Sequence, residues 1–337
     1  MSTPVKARWV VAGGETLLGK EVADLCAERQ LPVTVVLAGE GPGGVRPLVE
    51  AGGEAALLEE LTADTLESAS ALFLAGATEP SLGACALAAP LGVPVVDLTG
   101  ALRDDPRALV RAPALETGIV DGAAVHVVAH PAGIALARIL QLACETSKPR
   151  NVVAHVFEPA SVRGRAGVDE LHQQTINLFN FRQLPREVFD AQVAFNLLPR
   201  FGGQASQSME QSRRRAERDL LALLQPLRLP RPSLRFLHAP VFHGYCFSLW
   251  LDYESRPAIE ALEEALRQGG VDVRTADLEP ASNAGVAGQS GLTVSDIAED
   301  PASPHSLWLW AACDNVRTVA ENGVLVAAMF LGGMARA

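Results

Sequence analysis

The feature that most constrains this chain is a short apolar run, residues 8–12, that ends in Gly13-Gly14 and opens onto a helical spacing of apolar residues over 15–28, carried by Leu18, Val22, Leu25 and Cys26. Strand, glycine turn and amphipathic helix in that order make the first half of a βαβ unit. Further apolar or β-branched runs follow at 33–37, 71–74, 93–96 and 124–128. Strands separated by helical segments pair in parallel, and the simplest arrangement is a doubly wound, Rossmann-like sheet. Pro94 suits the first residue of a strand. The last run passes through His130-Pro131-Ala132-Gly133 into a helix predicted over 134–146.

After Pro149 the texture changes. Residues 151–157, 234–241, 247–253 and 307–312 read as strands, and 168–175, 206–224 and 257–269 as helices. Strands this widely spaced, with helices grouped between them, predict an α+β domain with a mostly antiparallel sheet. Residues 204–211 are Ser/Gln-rich and read as a mobile loop entering a helix, while 316–332 are apolar at helical spacing. A chain of 337 residues exceeds one ordinary core. The expected division is a dinucleotide-binding-type domain of residues 1–129 with 314–337, and a second domain of residues 130–313.

A formal charge of −11 argues against nucleic acid as a partner. The basic cluster Arg213-Arg214-Arg215 lies between Glu210 and Glu217 and reads as a solvated helix face. The five cysteines, Cys26, Cys85, Cys144, Cys246 and Cys313, have neither metal-ligand nor disulfide-framework spacing and read as small core residues of a reducing compartment. No metal site is expected. No apolar run is long enough to span a bilayer, and no secretory leader is evident, so the expectation is a cytoplasmic protein without a membrane partner.

The turn Gly13-Gly14-Glu15-Thr16-Leu17-Leu18-Gly19 sits where backbone N–H groups meet a pyrophosphate at a helix N-terminus. Gly13, Thr16, Leu17, Leu18 and Gly19 are the candidate cofactor-binding residues, with Gly76 in the turn after the third run. Thr16 replaces the middle glycine, and Glu15 adds a negative charge beside the phosphate position. A strand-to-helix turn with no ligand explains the same residues. After the second run no basic residue precedes Arg46, and Glu40 suits ribose hydroxyls, so any dinucleotide bound is expected to be NAD in preference to NADP, and weakly.

Taken in order, the motifs resemble the aspartate-semialdehyde dehydrogenase family over almost the whole chain. The family's V-G-A-T-G-x-V-G is similar to residues 12–19, its S-A-G-G turn to 74–77 and its D-x-S-x-x-x-R to 97–103. N-P-x-C-[ST] resembles His130-Pro131-Ala132-Gly133-Ile134. Q-x-x-S-G-x-G-[KR]-x-G-x-x-E-L resembles 158–171, R-V-P-V-x-x-G-H resembles 238–245, and D-N-x-R appears as Asp314-Asn315-Val316-Arg317. The resemblance implies a homodimer built on the second domain, a nicotinamide cofactor, and substrate or anion contacts at Arg103, Arg213 and Glu217.

The departures fall on the family's catalytic positions. The nucleophilic cysteine is Gly133, the substrate-orienting glutamine is Glu158, the carboxylate-gripping arginine is His238 and the catalytic histidine is Tyr245. The family's reaction needs a thiolate to form an acyl-enzyme, a base to activate it and a nicotinamide to exchange hydride. Glycine carries no nucleophile, and tyrosine is a poor base at neutral pH. His243, two residues before Tyr245, is the candidate surrogate base. These changes predict a non-catalytic family member that binds an unknown small molecule or protein. The alternative is an NAD(P)-dependent oxidoreductase with altered, non-covalent chemistry on a small carbonyl substrate. Both faces of the strand over 152–157 are largely apolar, which calls for cover by a second subunit.

Overall fold

The computed structural model describes residues 7–39, 48–116 and 125–334. These fall into two compact units, Met1–Ala129 with Val319–Ala337, and His130–Thr318. The first unit runs β1 (Ala7–Ala12), α1 (Leu17–Glu28), β2 (Val33–Ala38), β3 (Leu48–Ala51), β4 (Glu54–Leu57), α2 (Ala63–Leu66), β5 (Ala71–Leu74), α3 (Thr78–Ala88), β6 (Val95–Asp97), β7 (Ala108–Arg111) and β8 (Val125–Val128). Its main sheet has the order β2-β1-β5-β6-β8-β7, and every pairing in it is parallel. The chain leaves β1 toward β2 on one side and returns to β5 on the other, so β1 lies at the switch point of a doubly wound sheet.

Hydrophobic burial explains the sheet. β5 and β8 are buried at every position, as expected of strands covered on both faces. Val10, Leu72, Leu74, Val95 and Val127 share one core cluster with Ala84, Cys85 and Ala88 of α3. The hairpin β3–β4 was not foreseen, although Gly52-Gly53, both at positive φ, supplies the two-residue turn that such a hairpin requires.

The second unit runs α4 (Pro131–Thr146), β9 (Asn151–Glu158), α5 (Gly164–Phe179), α6 (Met209–Leu227), β10 (Ser233–His238), β11 (Tyr245–Asp252), α7 (Ile259–Gln268), β12 (Asp272–Arg274), β13 (Thr293–Asp300) and β14 (Ser303–Cys313). Its sheet has the order β10-β9-β11-β14-β13-β12. The three central pairings are antiparallel and the two outer ones parallel, so the sheet is mixed but mostly antiparallel. Strand alternation divides it cleanly. Val152, Ala154 and Val156 of β9 face inward with Phe247, Leu249 and Leu251 of β11 and Leu307, Leu309 and Ala311 of β14, all buried.

The last helix, α8 (Asn315–Met334), follows β14. Its residues in the first unit pack there: Glu321 pairs with Arg29, and Met329 and Phe330 meet Arg111 and His126. A Cβ on Gly323 would collide with the Leu98 side chain, so this glycine permits close packing of the helix on the sheet.

Several element ends moved for local reasons. β10 stops at His238 because Pro240 cannot donate to a ladder. α6 begins at Met209, where Ser208 and Gln211 form a capping box; the polar stretch read as a mobile loop is partly this cap.

Candidate functional site

In the first unit the glycine turn is built from backbone packing. Gly13 has φ 85°, and a Cβ on it would collide with Gly76; a Cβ on Gly19 would collide with the Gly13 carbonyl. Both glycines are therefore required by the turn itself. The N–H groups of Gly13 and Gly14 both donate to the Ala38 carbonyl, at 2.9 and 3.0 Å, bolting the turn to the end of β2. Thr16 is the N-cap of α1. Its hydroxyl accepts from the Gly19 N–H at 3.0 Å and lies within donating distance of the Gly13 and Ala75 carbonyls, at 2.8 and 3.0 Å. Leu17 and Leu18 open α1, where the first-turn N–H groups have no carbonyl inside the helix to reach. Glu40 and Arg46, named for cofactor preference, lie outside the described residues.

The loop after β6 is organised by Asp97, which is fully buried. One of its carboxylate oxygens accepts from the Thr99 and Gly100 N–H groups and the Thr99 hydroxyl, at 2.7 to 2.9 Å; the other accepts from Leu102 N–H at 2.8 Å. This shapes the turn that ends at Arg103, and sequence reasoning had given the work to Arg103 alone.

In the second unit, register brings three of the substituted positions together. His238 of β10 pairs with Glu158 of β9. The pairing of Cys246 with Phe157 places Tyr245 beside Glu158, and Tyr245 pairs with Cys313. Positions scattered over eighty-odd residues of sequence thus share one end of one buried face. Gly133 lies in the first turn of α4, buried, where a Cβ would rest 3.4 Å from the Leu220 nitrogen and 3.5 Å from the Ala216 carbonyl of α6. The position of the family nucleophile is here a contact between two helix backbones. α6 also holds the start of α4 through Asp219, which accepts from the His130 N–H at 3.0 Å.

The residue that sequence reasoning missed is Arg163. A 3-10 turn over Ala160–Arg163 folds it back onto the end of β9. Its guanidinium meets the Glu158 carboxylate at 3.0 Å, with both side chains at most 2 % exposed. It also donates to the Ser212 hydroxyl at 3.3 Å and lies 5.1 Å from the centre of the Phe201 ring. The ion pair is off hydrogen-bond alignment, which leaves one Glu158 oxygen and two Arg163 nitrogens unsatisfied. The only sequence signal was an arginine five residues after an acid at a strand end.

Burial shifts four titrating groups here away from their ordinary values. Burial raises the Glu158 carboxyl above the usual range, opposed by Arg163. Burial, then the neighbouring Glu158 charge, lifts the Tyr245 phenol well above its ordinary value, and its hydroxyl lies 3.4 Å from Glu158. His238 is fully buried beside Phe189 and Phe201; burial, then Arg163, lowers it to about 4, and neither ring nitrogen has an aligned partner. Burial likewise holds His130 neutral, well below its usual range.

His243 does not share a strand face with Tyr245. It precedes β11, and Gly244 at φ 84° breaks the alternation between them. Arg213 bridges Glu210 and Glu217 at 2.8 and 2.7 Å, so both proposed ligand-binding residues of α6 satisfy each other. Four of the five cysteines are buried and Cys144 is half-buried. Burial raises each thiol, to about 12 for Cys26 and Cys313 and about 11 for Cys246.

Comparison with known proteins places these features. Residues 142–318 match the family model described as semialdehyde dehydrogenase, dimerisation domain. The chain is 27% identical over 326 residues to an aspartate-semialdehyde dehydrogenase of Rickettsia bellii, covering 94% of this chain and 95% of that protein. It is also 27% identical over 342 residues to a USG-1 protein homolog of Pseudomonas aeruginosa, covering 98% and 99%. A solved structure of a probable aspartate-semialdehyde dehydrogenase from Pseudomonas aeruginosa superposes with a TM-score of 0.85 at 25% identity, covering 96% of this chain and 98% of that one. Fold, register and match over more than half its length agree: the chain belongs to the semialdehyde dehydrogenase family.

Proposed function

We propose that this protein keeps the semialdehyde dehydrogenase architecture without aspartate-semialdehyde dehydrogenase activity, and serves as a homodimeric binding protein. The observation that carries this reading is the Glu158–Arg163 pair. Where the reaction requires a thiolate, a base and polar groups open to substrate, the chain has a buried ion pair, a protonated phenol and a glycine packed on a helix. The non-covalent oxidoreductase reading loses support, because Tyr245 is fully buried with its hydroxyl turned to Glu158, and His243 stands off the strand.

The homodimer reading draws on the family's dimerisation domain and on the outer face of the second sheet. Val153, His155 and Phe157 of β9 share this face with Trp250 of β11 and Trp308 and Trp310 of β14, all half-buried. Part of it is covered from within the chain, since Ala281 and Val286 pack on Cys246, Phe157 and Trp310. The remainder, with Trp250 directly opposite Trp308, suits a two-fold partner. Light scattering at micromolar concentration should give about 71 kDa, twice the 35.6 kDa chain; a stable monomer removes the dimer.

In the first unit, the reading is a weak nicotinamide dinucleotide site at the glycine turn, with NAD preferred. Activity is tested by following NADH and NADPH absorbance with aspartate semialdehyde and phosphate at high protein concentration. No turnover above the blank is expected. Turnover that persists without the five cysteines overturns the non-catalytic reading, and turnover that needs one of them identifies a displaced nucleophile.

A further inference from the structure

We propose that Glu15 is the residue that sets cofactor choice in the first unit, by excluding a phosphate from the 2′ position of an adenosine ribose. The inference rests on the dinucleotide reading above and deepens it. In an open parallel sheet the ligand lies beyond the carboxyl ends of the strands at the switch point, with the adenosine ribose at the end of the second strand. Here that end is Ala38-Gly39, held against the glycine turn by the two hydrogen bonds to the Ala38 carbonyl.

Glu15 leaves that turn and lays its carboxylate on Gly39. A Cβ on Gly39 would overlap the Glu15 Oε2 atom and come within 3.1 Å of Leu58. Gly39 is thus the seat that allows an acid from the first turn to stand at the end of the second strand. A carboxylate there accepts hydrogen bonds from a ribose diol, as an acid on the second strand does in NAD sites. The same carboxylate opposes a 2′-phosphate bearing about two negative charges. Among the described residues, Glu15 therefore favours NAD over NADP. Sequence reasoning assigned this preference to Glu40 and gave Glu15 only a general repulsion of the pyrophosphate. Glu40 lies outside the described residues, and the geometry places Glu15 as an acid at this strand end.

The test is calorimetric titration of the full chain with NAD, NADP, ADP and adenosine 2′,5′-bisphosphate, for the natural sequence and for Glu15→Gln and Glu15→Arg. Glu15 is exposed, and matched thermal unfolding of the variants verifies that they fold. The natural chain is expected to bind NAD more tightly than NADP. Removing the charge in Glu15→Gln should improve NADP relative to NAD by about tenfold, the effect of one carboxylate on a nearby dianion in a solvated site. Glu15→Arg should reverse the order, and binding of NADP by a variant alone also supports the proposal. If nucleotides bind and the NAD-to-NADP ratio is the same in all three chains, Glu15 is not the determinant and the dinucleotide reading stands. Tighter NADP than NAD binding by the natural chain overturns it as well. If no chain binds any of the four compounds at millimolar concentration, the dinucleotide reading itself fails.

Discussion

The glycine turn of the first unit and the strand-end cluster of the second have both left the family pattern, but in different ways. At the turn, Thr16 replaces a glycine and becomes a helix cap, while Gly13 and Gly19 still make the bend. No compensating change is needed, because the Thr16 hydroxyl finds its partners within the turn and on the adjacent Ala75 carbonyl. At the strand ends, a charge appears at Glu158 in a position 1% exposed, and Arg163, five residues on, has folded back to meet it. Burial makes departures there interdependent. A turn that closes its own neutral hydrogen bonds changes residue by residue, whereas a buried charged centre changes as a set.

The largest effect that sharpens this contrast is expected for Arg163→Met. It strands the Glu158 carboxylate in the core and should cost about 3–5 kcal/mol in urea unfolding. The loss should shrink as pH is lowered. The carboxyl is already raised, and without Arg163 it rises further. A group raised in the folded state favours folding below its unfolded value and loses that advantage as pH climbs through the folded one. A variant equally destabilised at pH 4.5 and pH 8 would break the account.

His238 should produce the next effect, with the opposite sign. Its folded value of about 4 lies below the ordinary 6.5, so the unfolded chain takes up a proton first as pH falls. Stability is present above pH 6.5 and is lost between there and about pH 4, by about 3 kcal/mol. His238→Phe keeps a ring among Phe189 and Phe201 and should remove this part of the acid limb. His130 adds a limb of the same sign, which the variant leaves in place. An unchanged acid limb in His238→Phe would show that the ring is solvated.

The smallest effect belongs to the glycine turn. Thr16→Ala removes the cap on Gly19 and should cost about 1 kcal/mol, with no dependence on pH between 5 and 8. A loss as large as that of Arg163→Met would mean the turn is as coupled as the cluster, and the contrast would fall.

Much of the architecture was legible from the chain. The buried parallel strands announce themselves as apolar runs, and the change after Pro149 marks a second kind of sheet. β13 hid because its sequence, Thr293–Asp300, mixes acids with apolar residues and is broken by register shifts. The substituted positions were legible as positions, and Gly133, Glu158, His238 and Tyr245 all lie in the second unit where the motif order puts them. The contacts made at these positions were not legible. Arg163 holds a variable position of its motif, and only the 3-10 turn after Pro159 aims it back at Glu158. His243 stands apart from the strand face of Tyr245 because two-residue alternation applies inside a strand, and Gly244 ends that regime. In the first unit, no spacing rule could show that Glu15 reaches Gly39 from the neighbouring strand's turn.

The account's central claim is that Glu158 and Arg163 of the second unit form one coupled structural pair. The most direct measurement is a double-mutant cycle on that pair by urea unfolding, with Glu158→Gln, Arg163→Met and the double variant. The single variants should each be strongly destabilised, and the double variant should lie within about 1 kcal/mol of the natural chain, for a coupling of about 2 kcal/mol or more. Single losses that simply add in the double variant would contradict the claim, because they would show two independent side chains where the structure has one buried unit.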